Sequence, residues 1–126
     1  MSFKILAAAA LALASLTAPA AAQETIVLYR AFIGAPDLQN SQGKKLTEAW
    51  QVLRQDRANY HRFGIRQPGD EADPLFADAN QRAAMEKLLT GRAIDPATSK
   101  AILAGNALVE VHIYGRPAKA SVTLVR

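Results

Sequence analysis

The C-terminal end of the chain constrains the fold most strongly, because it predicts a β-hairpin. Two β-rich runs, "ALVEVHIY" and "KASVTLV", flank "GRPA", a four-residue turn that carries Gly115 and Pro117. A hairpin alone is only marginally stable in water, so a third strand must pair with it. The partner strand is "ETIVLYRAFI", residues 24–33, which is rich in β-branched and aromatic residues. Its apolar residues fall on both faces, which predicts a strand that is covered on both sides or central in its sheet.

A helical pattern follows in "KKLTEAWQVLRQDRANYHRF", which ends before Gly64. The apolar residues at helical spacing are Leu46, Trp50, Leu53 and Tyr60, with Ala49 and Val52 widening the stripe. His61 and Arg62 near the end of this segment suit the negative end of a helix dipole. This pattern predicts an amphipathic helix that packs one face on the sheet.

Two Asp-Pro pairs predict the starts of two further helices. In each pair the aspartate can accept from free backbone amides, and the proline occupies the first helical position, where no N–H is needed. The helix after Asp73 is predicted to run from about residue 74 to residue 89. The helix after Asp95 is predicted to be short and to end at Gly105.

The resulting order is β-α-α-α-β-β, which predicts a small single α+β domain. We expect a three-stranded, mainly antiparallel sheet with the helices packed on one face.

The first 22 residues have the pattern of a cleavable signal peptide. Lys4 supplies a positive charge, residues 5–16 are an apolar run, and Ala20 and Ala22 stand at the −3 and −1 positions of an A-x-A cleavage site. The run is shorter than the roughly 20 residues that a membrane-spanning helix needs. The sequence therefore predicts export to the periplasm or the exterior, and a mature domain of residues 23–126 without a transmembrane segment.

Composition narrows the function classes. The chain has no cysteine, which excludes disulfides, thiol catalysis and thiolate metal sites. Without Lys4, 14 Lys and Arg residues face 11 Asp and Glu residues, so the predicted mature chain has a net charge of +3. Nucleic-acid-binding proteins cluster basic residues on one face, whereas most basic residues here have acidic neighbours along the chain. We therefore expect no nucleic-acid partner.

The most highly charged stretch is "RQDRANYHRFGIRQPGDEADPLFAD", residues 54–78, in which arginines come first and acids follow, with a net charge of −1. One interpretation is that the acidic loop folds back along the arginine face of the helix and neutralises it. The other is a binding surface for a protein or a small anion, because either arginine of a helical row can hold a carboxylate or phosphate through two hydrogen bonds. The residues expected at that surface are Arg54, Arg57, His61, Arg62, Asp70 and Glu71, with Trp50 and Tyr60 supporting it.

The hairpin offers the candidate catalytic residues. Glu110, His112 and Tyr114 alternate along the strand and therefore share one face. A carboxylate beside an imidazole is the minimum for general acid–base catalysis, and Arg116 could stabilise a developing anion. The alternative interpretation is an ordinary amphipathic strand whose polar face lies in water. Whether the protein is an enzyme stays open, with binding the favoured function.

We expect no metal ion and no cofactor. His61 and His112 are 51 residues apart and lack zinc-site spacing. The acids of residues 70–78 do not follow the spacing of a calcium-binding loop. Phosphate-binding glycine motifs and the G-x-S-x-G motif of serine hydrolases are absent from the sequence.

These patterns predict a small exported accessory protein that acts by binding an envelope protein or a small anionic ligand. One alternative is a secreted hydrolase that acts on a phosphodiester or glycan through Glu110 and His112. The other is an oligomeric structural protein that associates through the apolar residues of strand 24–33.

Overall fold

The structure, a computed structural model, describes residues 23–126. Its elements are β1 (Thr25–Ile33), α1 (Ala49–His61), α2 (Ala79–Ala83), α3 (Met85–Leu89), α4 (Pro96–Ala104), β2 (Ala107–Tyr114) and β3 (Lys119–Leu124), with a 3-10 turn at Ala35–Asp37. The order confirms the α+β class, with four helices where three were predicted. The predicted signal peptide, residues 1–22, lies outside the described residues.

The three strands form one antiparallel sheet in the order β1-β2-β3. Arg30 pairs with Glu110 and Glu110 pairs with Thr123, so β2 is the central strand. The predicted hairpin and its third strand are confirmed. The expectation that β1 is central or covered on both faces is wrong, because β1 is an edge strand on which Ile26 is 46% and Leu28 53% exposed. The inward and outward residues of β1 alternate because the helices pack on one face of the sheet only.

The hydrophobic core lies between the sheet and the helices. The inward side chains of β1 and β2 are Val27, Tyr29, Ala31, Ile33, Val109, Val111 and Ile113. The predicted stripe of α1 is confirmed for Trp50, Leu53 and Tyr60, which are buried, whereas Leu46 precedes the helix. Val52 and Leu53 contribute fully buried side chains to this face of α1. The same helix also buries three polar residues, Asp56, Arg57 and Asn59.

The predicted helix over residues 74–89 is wrong in its first part. Residues 74–77 form turns, and α2 begins only after Asp78. Asp73 accepts from the amide of Phe76 at 2.6 Å, and Asp78 accepts from the amide of Asn80 at 2.7 Å. Two aspartates five residues apart thus each cap a turn of their own, so the helix begins at the second. A further break at Ala84 separates α2 from α3.

The inward residues of this segment agree with the prediction in spite of the breaks. Phe76, Met85 and Leu89 are buried, while Leu75 and Leu88 are half-buried.

The second Asp-Pro pair behaves as predicted. Asp95 accepts from the amide of Thr98 at 2.7 Å and starts α4. The helix stops at Gly105, whose φ of 79° lies in the region that favours glycine. Ile102 on α4 is buried, and Leu103 is half-buried.

Candidate functional site

The charged stretch of residues 54–78 is centred on a buried ion cluster. Arg57 is 0% exposed, its Nε donates to Asp56 Oδ2, and its Nη1 donates to Asp73 Oδ1, both at 2.8 Å. His61 Nε2 lies 2.8 Å from the same Asp73 oxygen. The expectation that Arg57 lies on an exposed helix face is wrong, because the carboxylates that bind it are those of the chain itself. We call Asp56, Arg57, His61 and Asp73 the ion cluster.

Aromatic rings enclose the guanidinium of the ion cluster. The Arg57 Cζ atom lies 4.3 Å from the ring centre of Tyr29 on β1 and 4.7 Å from that of Tyr60 on α1. A cation near an aromatic face is attracted by the ring quadrupole, which offsets part of the hydration lost on burial. Arg57 Nη1 also donates to the carbonyl oxygen of Glu71 at 2.9 Å. The acidic loop therefore folds back on α1, and the neutralisation interpretation is confirmed for Asp73.

Burial and pairing move the pKa values of the ion cluster in different directions. Burial raises the pKa of Asp56 well above its ordinary value, and the charge of Arg57 opposes this only in part. Burial also acts to raise the pKa of Asp73, but hydrogen bonds from His61, the Phe76 amide and Arg57 outweigh it, so this pKa is lowered. Burial alone would lower the pKa of Arg57, yet the charges and hydrogen bonds of Asp56, Tyr29 and Asp73 together outweigh it, so the pKa is raised. Arg57 therefore stays charged.

Asp73 makes the stability of the fold sensitive to acid. Because folding lowers its pKa, its contribution is complete above the unfolded value of about 3.9 and is lost as the pH falls through the folded value. We expect the free energy of unfolding, measured by urea denaturation from about pH 5 to about pH 2, to fall more steeply in the parent than in Asp73→Asn. Asp37 and Asp56, whose pKa values are raised, oppose this trend above about pH 4 but titrate in both proteins. Equal slopes would contradict the assignment.

Asp70 and Glu71 form hydrogen bonds with backbone groups at the outer edge of β1. The Arg30 amide donates to Glu71 Oε1 at 2.7 Å, and the Glu71 amide donates to the Arg30 carbonyl at 2.9 Å. The Phe32 amide donates to Asp70 Oδ1 at 2.8 Å. These bonds occupy backbone groups that an edge strand otherwise leaves free for another chain.

Arg54 and Arg62 are exposed, as the binding-surface interpretation requires. Each lies over an aromatic ring, Arg54 over Trp50 at 4.9 Å and Arg62 over Phe63 at 5.1 Å. None of the ion pairs within residues 23–126 involves either of them. The six predicted surface residues thus fall into three settings, with two exposed arginines, two members of the ion cluster and two acids at the edge of β1.

The structure places the candidate catalytic residues on the outward face of β2, as the alternation predicts. Glu110 Oε2 lies 3.4 Å from Arg30 Nε, and His112 Nε2 lies 2.8 Å from Thr25 Oγ1. The rings of His112 and Tyr114 are 4.9 Å apart. His61 belongs to α1 on the other face of the sheet. Glu110 and His112 line none of the three cavities described within residues 23–126, and Arg116 is exposed in the hairpin turn.

A cavity of about 320 Å³ lies where α3 and the turn after it meet the β-hairpin. We call it the basic cavity, because Lys87, Arg92 and Lys119 line it and no Asp or Glu does. Thr90 and Tyr114 also line it. None of the ion pairs within the described part of the chain involves the three cations.

The basic cavity was missed by the sequence analysis because its cations come from separate segments. Lys87 belongs to α3, Arg92 to the turn after it, and Lys119 to β3. No motif joins these positions, and only the packing of α3 against β3 brings them together. The one signal in the sequence is that no acid occurs between Val111 and Arg126.

Fold and site define a small cysteine-free α+β protein with a buried ion cluster and a basic cavity. The chain matches no protein-family model, no curated protein and no solved structure. Within residues 23–126, no three His, Asp or Glu side chains are grouped so that they could hold a metal ion. Over the same residues, every helix is too short or too polar to cross a membrane.

Proposed function

We propose that the protein is an exported accessory protein that binds a small anionic ligand, a phosphate or a carboxylate, in the basic cavity. The observation that carries the proposal is the lining of this cavity by three cationic residues, Lys87, Arg92 and Lys119, without an Asp or Glu. Its volume of about 320 Å³ falls at the lower end of small-molecule sites, which measure roughly 300–1,000 Å³. An anion bound among three like charges would relieve their mutual repulsion.

Each polar residue of the basic cavity has a distinct part in this proposal. Arg92 offers a planar fork of N–H donors that matches the two oxygens of a carboxylate or phosphate. Lys87 and Lys119 act as mobile point charges. Thr90, which also lines the cavity, can donate a hydroxyl hydrogen bond.

The pattern of residues 1–22 supports export. The ligand would then be an anion of the periplasm or the exterior. A second candidate for the binding partner is an envelope protein that docks on the exposed Arg54 and Arg62. The hydrolase alternative is less well supported, because Glu110 and His112 lie outside the cavities described here.

The test is a titration of the isotope-labelled protein with inorganic phosphate, followed by the backbone amide signals in NMR at constant ionic strength. We expect saturable shifts at Thr90, Arg92 and Lys119. Charge reversal of two cavity cations, Lys87→Glu with Arg92→Glu, should weaken phosphate binding by at least about tenfold, because each removes an attraction and adds a repulsion.

The matched control reverses two exposed lysines outside the cavity, Lys44→Glu with Lys45→Glu, and so makes the same change in net charge. We expect this control to bind phosphate within about twofold of the parent, since distant exposed charges are screened by salt. An equal loss in both double variants, or shifts that do not saturate, would show that only net charge attracts the anion and would overturn the proposal.

A further inference from the structure

We infer that a second cavity, bounded by residues 36–41 and the C-terminal half of α1, binds a neutral sugar ring. This cavity measures about 290 Å³, and no charged residue lines it. Its polar lining residues are Ser41 and four residues with amide side chains, Gln39, Asn40, Gln55 and Asn59. We call it the amide cavity. The inference is independent of the anion site proposed above, since the two cavities share no residue.

Hydrogen bonds to other residues of the protein orient the side-chain amides of Asn59 and Gln55. Asn59 donates from Nδ2 to Asp37 Oδ1 at 2.9 Å and to the carbonyl of Pro36 at 3.1 Å. Its Oδ1 accepts from Gln55 Nε2 at 2.9 Å. Gln55 is therefore oriented through its nitrogen, and its Oε1 remains as an acceptor for a ligand. An acceptor fixed in this way loses little side-chain entropy when a ligand binds.

The opposite hydrogen-bonding role falls to Asn40. Its Oδ1 accepts from the amides of Gln42 at 3.0 Å and Lys44 at 2.9 Å, which leaves its Nδ2 group as a donor. The amide cavity thus offers a restrained acceptor and a restrained donor, together with the hydroxyl of Ser41. A sugar hydroxyl both donates and accepts, so a row of hydroxyls satisfies both kinds of group.

A sugar-binding role for the amide cavity would explain why two large apolar side chains in its lining are exposed. Phe63 and Ile65 line it and are 44% and 42% exposed, although both are large and apolar. The guanidinium of Arg62 lies 5.1 Å from the ring centre of Phe63 and restrains it. The C–H face of a sugar ring packs well on such a surface, while its hydroxyls reach the amides. No residue of this lining carries a charge that could hold an anion, and a volume of about 290 Å³ suits one or two sugar rings better than an extended peptide.

The experiment is an NMR titration of the purified, isotope-labelled protein with the neutral disaccharides cellobiose and chitobiose. We expect saturable shifts of the amide signals of Gln55, Asn59 and Phe63 with at least one of them. Gln55→Leu removes the restrained acceptor, and Phe63→Ala removes the apolar platform. Each variant should weaken the sugar's affinity by about tenfold.

One control variant and one further probe make the result decisive. Gln81→Leu replaces an exposed glutamine of α2 outside the cavity and should bind sugar as the parent does. Phe63→Ala alters an exposed side chain, so it tests the site even if Gln55→Leu fails to fold. The absence of saturable shifts with both sugars would overturn the inference, as would equal affinities in all variants. Saturation of the same signals by a capped tripeptide, N-acetyl-trialanine amide, in place of sugar would reassign the cavity to peptides and also overturn it.

Discussion

Replacement of Arg57 by methionine is expected to lower the free energy of unfolding by about 3–5 kcal/mol. The substitution keeps an unbranched side chain of similar length but removes the cation that, among residues 23–126, contacts both Asp56 and Asp73. Breaking a buried ion pair by removing one partner leaves the other as an uncompensated buried charge, and this costs far more than the pair contributes over an apolar substitute. Since a small domain has roughly 5–15 kcal/mol of stability in total, the variant should be close to unfolding.

The measurement is urea denaturation at neutral pH, monitored by circular dichroism and by the fluorescence of Trp50. Arg54→Met is the matched control, because Arg54 lies on the same helix, three residues earlier, and is exposed. Its loss should cost less than about 1 kcal/mol, as is usual for exposed cations. If the two variants lose similar amounts of stability, the buried position of Arg57 and its pairing with the two aspartates are wrong.

Replacement of Phe76 by alanine is expected to cost about 3–5 kcal/mol of unfolding free energy. Phe76 is fully buried, and its ring packs edge-on against Tyr29 with ring centres 6.0 Å apart. Truncation removes the largest apolar side chain of residues 74–77, which have no helical hydrogen bonds to hold them. The cavity that remains can collapse only in part, which is why such truncations cost more than the transfer free energy of the lost atoms.

Phe63→Ala is the control for this prediction, since Phe63 is an exposed phenylalanine. Thermal and urea denaturation should place it within about 1 kcal/mol of the parent. Comparable destabilisation by both truncations would show that Phe76 is not a core residue. Tyr29 contacts both Phe76 and Arg57, so the losses in a double variant need not add, because the two sites share a partner.

Local sequence patterns determined most of the secondary structure, because the forces that begin and end these elements act within a few residues. Asp95 and Gly105 delimit α4 through a cap at each end. The hairpin follows from two β-rich runs around a turn. The same local chemistry explains the error in residues 74–89, where Asp73 and Asp78 are both good caps. Propensity alone cannot decide between two caps five residues apart.

The position of β1 in the sheet could not be predicted from the sequence. Apolar residues on both faces of a strand are expected for a central strand, yet β1 is an edge strand with Ile26 and Leu28 exposed. The edge is covered by Asp70 and Glu71, which lie about 40 residues away in the chain. Strand order depends on such distant contacts, and they leave no periodic signal in the strand itself.

The different burial of Arg54 and Arg57 could not be predicted from the sequence. Both are arginines of α1, yet Arg54 is exposed and lies over Trp50, whereas Arg57 is fully buried and paired with two aspartates. The sequence by itself determined the fold class, the main helix and the hairpin, and it offered a neutralising acidic loop as one of two interpretations of residues 54–78. The tertiary structure alone decided which arginine that loop buries, and it alone joined Lys87, Arg92 and Lys119 into the basic cavity. The physical reason is that burial and charge pairing depend on the packing of segments far apart in the chain, whereas helix periodicity and capping depend on neighbours.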